Sequence, residues 1–435
     1  MKLRTIFADL THTGMGINAD TFPYSVGLVA AYAKQELGDL IDISIHKFPD
    51  ELSSELERKK PKILAMSSFV WNARLSYAFA VHTKKINPET VVIFGGPDFP
   101  TPSNERRKFL LEKSAIDFFI KWDGEYAFVH LIKQLVEREL DFNSLKKERL
   151  KIPNVCYVDE VGEYVEGPDE RLTDLMTVPS PYVTGLLDRF FETSLMPLVE
   201  TTRGCPYGCT FCNDGNALRN KVYHKSVDFI SEELEYIASR IKNTNQLHIA
   251  DLNFGMYRHD VETAKIIRSV INKHDWPEQV RGAMGKSQPL RLLEVTNIIN
   301  ENKKGVIKLQ SSLQSTDADV LKQIKRKNLN IEQLQLLRDD HQSKTNSTEQ
   351  YYTELIVPLP GMTHEKHMNT LRDVIDKAEM NTIEVFQLIL LQGSRMATRS
   401  ERDRLAFQTR FRAYVGAFGE YAIGGNMTPI AEIEE

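Results

Sequence analysis

Three of the four cysteines in this 435-residue chain fall within one short stretch, RGCPYGCTFC (203–212), as Cys205, Cys209 and Cys212; Cys156 is remote. So few thiols in so long a chain cannot form a disulfide framework. Thiolates are soft ligands suited to zinc or iron–sulfur centres. A structural zinc site takes four closed ligands, usually as two separated pairs. Here the C-x3-C-x2-C spacing is unequal, and the candidate fourth ligands, His224 and Cys156, are distant in sequence. A four-iron cluster on three thiolates keeps one iron open to an outside ligand.

The loop resembles that of the radical S-adenosylmethionine superfamily, which carries an aromatic just before the third cysteine, here Phe211. The resemblance implies a 4Fe-4S cluster whose open iron chelates the amino and carboxylate groups of S-adenosylmethionine. Reduction by a low-potential donor such as flavodoxin or ferredoxin then releases methionine and a 5′-deoxyadenosyl radical. Four later segments are similar to the family's strand motifs. In LHIADLNFG (247–255), Asp251 and Asn253 would bind the methionine amino group. In IKLQSSLQS (307–315), Ser312 and Gln314 would contact ribose or carboxylate. ELIVPLPGMT (354–363) would pass the adenine, and FQLILLQGS (386–394) matches the end of the sixth strand. Each alone reads as a buried strand and a turn. In order and at barrel spacing, they exclude that reading together.

The elements that must position these residues follow from periodicity. Residues 1–138 alternate apolar runs at 3–8, 41–45, 63–67, 91–94 and 118–120 with helical patterns, as in PYSVGLVAAYAKQEL (23–37). That alternation predicts a parallel, doubly wound sheet of flavodoxin-like order. Residues 139–194 read as a connector with a hairpin at 155–167 and the proline-rich PSPYVTG (179–185). A second series has strands at 195–201, 246–251, 280–284, 306–313, 352–358 and 383–391. Ile230, Leu234, Ile237 and Ile241 share one helical face, Thr316 to Asp319 reads as a capping box, and Thr363 as a helix cap. The fold class is therefore α/β. A flavodoxin-like N-terminal domain (1–138) and the connector (139–194) precede a partial (β/α)6 barrel (195–398) and a C-terminal extension (399–435). The chain runs only a short way past the sixth strand, where the family usually continues. It reads as a truncated version or an unusually short member.

Four loops at strand carboxyl ends characterise the first domain: 11–20, 67–72, 95–100 and 122–128. Their SSFVWN, GGPD and DGE segments resemble the cobalamin-binding domain that precedes the radical barrel in one branch of the superfamily. The resemblance covers about residues 1–395. It implies that Ser67, Gly95 and Gly96 line the nucleotide tail of cobalamin, with Glu125 near its exit. The sequence departs from the D-x-H-x-x-G pattern, because His12 of DLTHTG (9–14) falls one place late. It reads as a surface or loop-stabilising histidine rather than a cobalt ligand.

Scarcity of thiols excludes the subtypes with second clusters. Cys156, in an alternating strand, reads as a small buried hydrophobe. Trp71 and Trp122 read as closing the domain core, His364 and His367 as a solvated helix face, and IKRKN (324–328) as too short for RNA binding. Lys plus Arg at 55 against Asp plus Glu at 60 leaves a net charge of −5, no footprint for nucleic acid or an anionic membrane. The start MKLRTIFADL is no signal peptide, and there is no 18-residue apolar run, which points to a cytoplasmic protein with no membrane span. The function the resemblance implies is a cobalamin-dependent methyltransferase acting on an unactivated carbon of a small-molecule or biosynthetic-intermediate substrate. Two alternatives are a radical rearrangement or cyclisation, and a non-catalytic cobalamin sensor. A zinc-binding interaction protein ranks last.

Overall fold

A computed structural model describes residues 2–345 and 352–435. The chain divides into two compact units, one formed by residues up to Phe190 together with Leu390–Glu435, the other by Phe191–Ile389. The first contains strands β1 (Leu3–Ala8), β2 (Ile41–His46), β3 (Ile63–Ser67), β4 (Val91–Gly95) and β5 (Phe118–Ile120) in the order β2-β1-β3-β4-β5, all parallel. This is the expected doubly wound order. The central strands are covered on both faces, so β3 is buried at every position and its first four residues, ILAM, are a continuous apolar run. Phe99 stacks on Phe119 with ring centroids 3.8 Å apart, and Phe7 meets Phe128 at 5.0 Å.

The hairpin forms as β6 (Val155–Val158) and β7 (Tyr164–Glu166), but it does not belong to a separate connector. It pairs antiparallel to β5 and extends the same sheet. Asp159 makes its turn by accepting from the backbone N–H of Val161 and Glu163. Residues beyond it pack back as well. Leu172, Leu175, Leu187 and Phe190 are buried, and Tyr182 stacks on Tyr24 of helix Tyr24–Leu37. The boundary expected at 138 is thus displaced to 190 by apolar side chains that the first sheet's helices cover.

In the second unit the first strand is interrupted. It appears as β8 (Leu198–Val199) and β9 (Thr202–Arg203), the latter paired antiparallel with β10 (Tyr223–His224). The interruption has a cause. The N–H groups of Thr201 and Thr202 bond to the Asp251 carboxylate rather than to a neighbouring strand. The remaining strands are β11 (Gln246–Phe254), β12 (Gln279–Met284), β13 (Gln310–Gln314), β14 (Tyr352–Val357) and β15 (Thr382–Gln387). They form two three-stranded parallel sheets, β12-β11-β8 and β13-β14-β15, joined by a single bridge between Val280 and Ile307. The fourth strand therefore starts later than 306. The Asn300 side chain takes both backbone groups of Ile307, its Nδ2 donating to the carbonyl and its Oδ1 accepting from the N–H. Ile230, Leu234 and Ile237 share the buried face of helix Val227–Ala238, and Ile241 lies just past its end. Thr363 caps helix His364–Arg372. Thr316 is no cap, because its hydroxyl donates to Asp373 and Asp317 caps helix Ala318–Gln323 instead.

The C-terminal segment is not a free extension. Strands β16 (Arg412–Ile423) and β17 (Asn426–Glu434) form a two-residue hairpin at Gly424 and Gly425, both at positive φ as such a turn requires. This hairpin docks within the first unit. Tyr421 is buried in the core around β1, β3 and β4, and the Ala422 carbonyl accepts from Ser53. Among the described residues, no helix is long and apolar enough to cross a membrane.

Candidate functional site

The cysteine loop is shaped by backbone contacts that leave no room for side chains at two glycines. Gly204 sits at φ +109, and a Cβ there would lie 2.2 Å from the Lys221 carbonyl oxygen. At Gly215 a Cβ would lie 2.0 Å from the Cys209 carbonyl oxygen. The Cys205 N–H donates to Arg219 O, and Cys212 N–H to Cys209 O, closing a tight turn. None of the four cysteines is in a disulfide; Cys205 and Cys209 are buried and Cys212 is half-buried. Burial and the neighbouring Asp214 push the Cys212 thiol up to about 11, so a cation is needed to hold it as thiolate at neutral pH.

The other candidates divide into those committed to the protein and those left with unused atoms. Asp251 is committed. Its carboxylate accepts from Thr201 N–H at 2.8 Å, Thr202 N–H at 3.0 Å and the Thr201 hydroxyl, pinning the chain just ahead of the cysteines. Burial raises it to about 7. Three donors from the chain thus already share the carboxylate expected to bind an amino group. Asn253 is divided: Nδ2 donates to Cys205 Sγ at 3.3 Å, while Oδ1 is buried without a partner. Gln314 sits at φ 66, and its Oε1 is also buried without a partner. The Ser312 hydroxyl donates to Glu354 at 2.5 Å, and Gln310 donates to the other carboxylate oxygen. Phe211 is half-buried. Tyr257, whose buried hydroxyl lacks a partner, was not expected at the site; the Cys205 thiol is among the charges acting on it.

A buried acceptor without a donor carries the desolvation penalty of an unmade hydrogen bond, about 1–3 kcal/mol. Two such oxygens, Asn253 Oδ1 and Gln314 Oε1, in the unit that holds three thiols on one loop suit a ligand with N–H or O–H donors beside a thiolate-bound metal cluster. His224 is not a fourth ligand of these thiols. It bonds to the Thr202 hydroxyl at 2.9 Å and packs on His259, and burial lowers it to about 4.

In the first unit, the expected cobalamin-side residues are engaged with the chain itself. Ser67 donates to Asp9 at 2.5 Å, within a buried network in which Lys47 donates to Asp9 at 2.9 Å and Asn72 to Ser67 at 3.1 Å. Gly96 sits at φ +127, where a Cβ would lie 2.4 Å from Ser68 O; its smallness serves loop-on-loop packing. Gly95 accepts from Ser68 N–H, and Glu125 is buried in the first turn of helix Gly124–Val136. His12 stabilises its loop as expected but is fully buried, not on the surface. Nδ1 lies 2.7 Å from the Tyr421 hydroxyl and Nε2 3.1 Å from Glu432. Both ring nitrogens are occupied. Neither tryptophan closes the core: Trp71 stacks on Phe69 at 4.5 Å and Trp122 donates to Asp169, both half-exposed. Cys156 is fully buried, its thiol pushed up to about 11 by desolvation.

Residues 199–374 match the family model described as the radical SAM superfamily. The chain is 28% identical over 408 residues to the cobalamin-dependent radical SAM methyltransferase TokK of Streptomyces tokunonensis, covering 91% of this chain and 57% of that protein. It is also 28% identical over 396 residues to 2-(S-pantetheinyl)-carbapenam-3-carboxylate methyltransferase of Streptantibioticus cattleyicolor, covering 88% and 56%. The chain thus spans little more than half the length of these curated relatives. Its fold is similar to that of the radical S-adenosylmethionine methyltransferase TsrM from Kitasatospora setae, solved with cobalamin and a [4Fe-4S] cluster bound. The TM-score is 0.68 at 13% identity, over 95% of this chain and 77% of that one.

Proposed function

We propose that this chain, a member of the radical S-adenosylmethionine superfamily on the fold of its cobalamin-dependent branch, methylates an unactivated carbon of a small organic substrate. The observation that carries the reading is the combination of three thiols in one glycine-shaped loop with the unpartnered buried oxygens of Asn253 and Gln314. Cys205, Cys209 and Cys212 would hold a 4Fe-4S cluster. Asn253 Oδ1 would accept from the ammonium of S-adenosylmethionine, Gln314 Oε1 from a ribose hydroxyl, and Phe211 would flank the cluster. Asp251 acts one step back, by fixing Thr201 and Thr202, and Ser312 acts with Glu354. Ser67, Gly95, Gly96 and Glu125 are the cobalamin-side candidates, Ser67 through its bond to Asp9. When bound, these groups supply the deoxyadenosyl radical and the methyl donor; the protein supplies orientation and exclusion of water.

The carbapenam carboxylate in one relative's name supports a small-molecule substrate. A low-potential flavodoxin or ferredoxin is the proposed electron donor. Thiols that must stay reduced suit a cytoplasmic setting.

Anaerobic reconstitution with iron, sulfide and cobalamin tests the reading. Methylation predicts S-adenosylhomocysteine and 5′-deoxyadenosine formed together, with labelled methyl in the product. Deoxyadenosine without S-adenosylhomocysteine would point to rearrangement. Bound corrinoid with no cluster absorbance and no cleavage would leave a cobalamin sensor.

A further inference from the structure

Helix Ala318–Gln323 leads into IKRKN (324–328), a basic run that lies against the cysteine loop. The Thr210 N–H, between the second and third cysteines, donates to Ile324 O at 3.0 Å. Arg326 is buried, only 6% exposed, with Nη1 4.0 Å from Cys209 Sγ. Its other nitrogens are fixed: Nε donates to Asn328 Oδ1 at 2.9 Å and Nη2 to the Ser312 carbonyl. Asn328 is held in turn, donating to Leu313 O at 2.7 Å and Ser315 O at 2.8 Å.

A buried guanidinium needs a compensating anion. Among the described residues Arg326 has no carboxylate ion pair; Glu354 acts on it, but both oxygens of that carboxylate are taken by Gln310 and Ser312. Cys209 is the acidic group in contact with it. Resting on the cluster assignment proposed above, we infer that Arg326 is a positioning residue whose fixed charge beside Cys209 raises the reduction potential of the cluster.

The physics is direct. Three thiolates on an oxidised four-iron core of charge 2+ give a net charge of −1, and one electron from an external low-potential donor takes it to −2. No bond forms or breaks, and Arg326 keeps its proton. A fixed positive charge at the edge of the cluster stabilises the more negative state. Hydrogen bonds and charge near the sulfurs are established levers on such potentials.

The test compares the full chain with Arg326→Gln, which removes the charge, and Arg326→Lys, which keeps it. Each is reconstituted anaerobically, assayed for iron and sulfide, melted thermally, and titrated with dithionite while the reduced cluster is followed by EPR. The expected result is a midpoint for Arg326→Gln more negative by at least 59 mV, a tenfold smaller ratio of reduced to oxidised cluster at fixed potential. Arg326→Lys should lie near the wild type. A fully loaded Arg326→Gln protein with an unchanged midpoint overturns the inference. If Arg326→Gln cannot be loaded, retention by Arg326→Lys at matched melting temperature supports the role of charge. Loss in both, with lowered melting, shows a brace alone and overturns it. Wild-type protein that takes up no four-iron cluster refutes the proposed function instead.

Discussion

Glu432 is 1% exposed and receives three hydrogen bonds across the docked hairpin. Oε1 accepts from Leu75 N–H at 2.9 Å and His12 Nε2 at 3.1 Å, and Oε2 accepts from Arg74 N–H at 2.9 Å. Helix Ala73–Ile86 has no side-chain cap from Asn72, so this distant carboxylate caps it. Truncation in Glu432→Ala strands two helix N–H groups and one imidazole. A lost cap costs about 1 kcal/mol, and a hydrogen bond to a charged group is worth roughly 1.5–3 kcal/mol. Allowing for non-additivity, the loss should be about 4 kcal/mol, a large part of the ~5–15 kcal/mol that holds a typical fold. With a slope of about 2–3 kcal/mol per molar urea, the midpoint should fall by ~1.5–2 M. Urea titration in a Trp276→Phe background isolates this unit, leaving Trp71 and Trp122 as reporters. Glu434→Gln is the control. It lies on the same strand but is paired with a half-exposed Arg412, and should cost no more than about 1 kcal/mol. If Glu432→Ala shifts the midpoint no further than Glu434→Gln, the carboxylate is not the latch.

Asp251→Ala should strand the Thr201 and Thr202 N–H groups, costing about 1–3 kcal/mol for each buried donor; iron bound per chain should drop, and full loading would show the pin to be dispensable. At Gly14 a Cβ would lie 2.3 Å from the Phe418 carbonyl oxygen, so Gly14→Ala should lower the urea midpoint of the same unit by ~1–3 kcal/mol equivalent, whereas a neutral result would mean that the hairpin shifts aside. Burial lowers His46 to about 4, so its folded form stays neutral where the unfolded form, near 6.5, takes a proton. That contribution is full above about pH 6.5 and is lost as pH falls through 6.5 toward 4, up to about 2.5 kcal/mol by pH 4.5. His46→Gln should flatten the stability curve over that window, and an unchanged slope would assign the acid sensitivity elsewhere.

Legibility from sequence followed burial symmetry. Strands β3 to β5 are covered on both faces, so each appears as a nearly continuous apolar run between turn residues, whereas the edge strand β2 shows polar positions such as the exposed Asp42. The cysteine loop was legible because its chemistry is local. What escaped depended on partners far along the chain. Nothing near Asn300 announces that its side chain satisfies Ile307 and shortens the fourth strand. Nothing near Asp251 announces that Thr201 and Thr202 claim its carboxylate. Arg326 lies in a basic run that looks solvated until its contact with Cys209 is seen. The hairpin carried a usable signal in Gly424-Gly425 between two alternating segments, a pattern that specifies a tight turn. The small residues at 95 and 96 suggested ligand approach, whereas Gly96 makes room for the Ser68 backbone.

The latch also sets a timetable. Helix Ala73–Ile86 and the loop bearing His12 leave the ribosome several hundred residues before Glu432 does. At ~5–20 residues per second this interval is on the order of tens of seconds. During it, two helix N–H groups and the His12 imidazole wait without their partner, and the apolar surface that Tyr421 will cover stays open. The second unit is made entirely within that interval. Expression at lower temperature, or with more chaperone, should therefore favour soluble yield through the first unit, the one begun earliest and completed last.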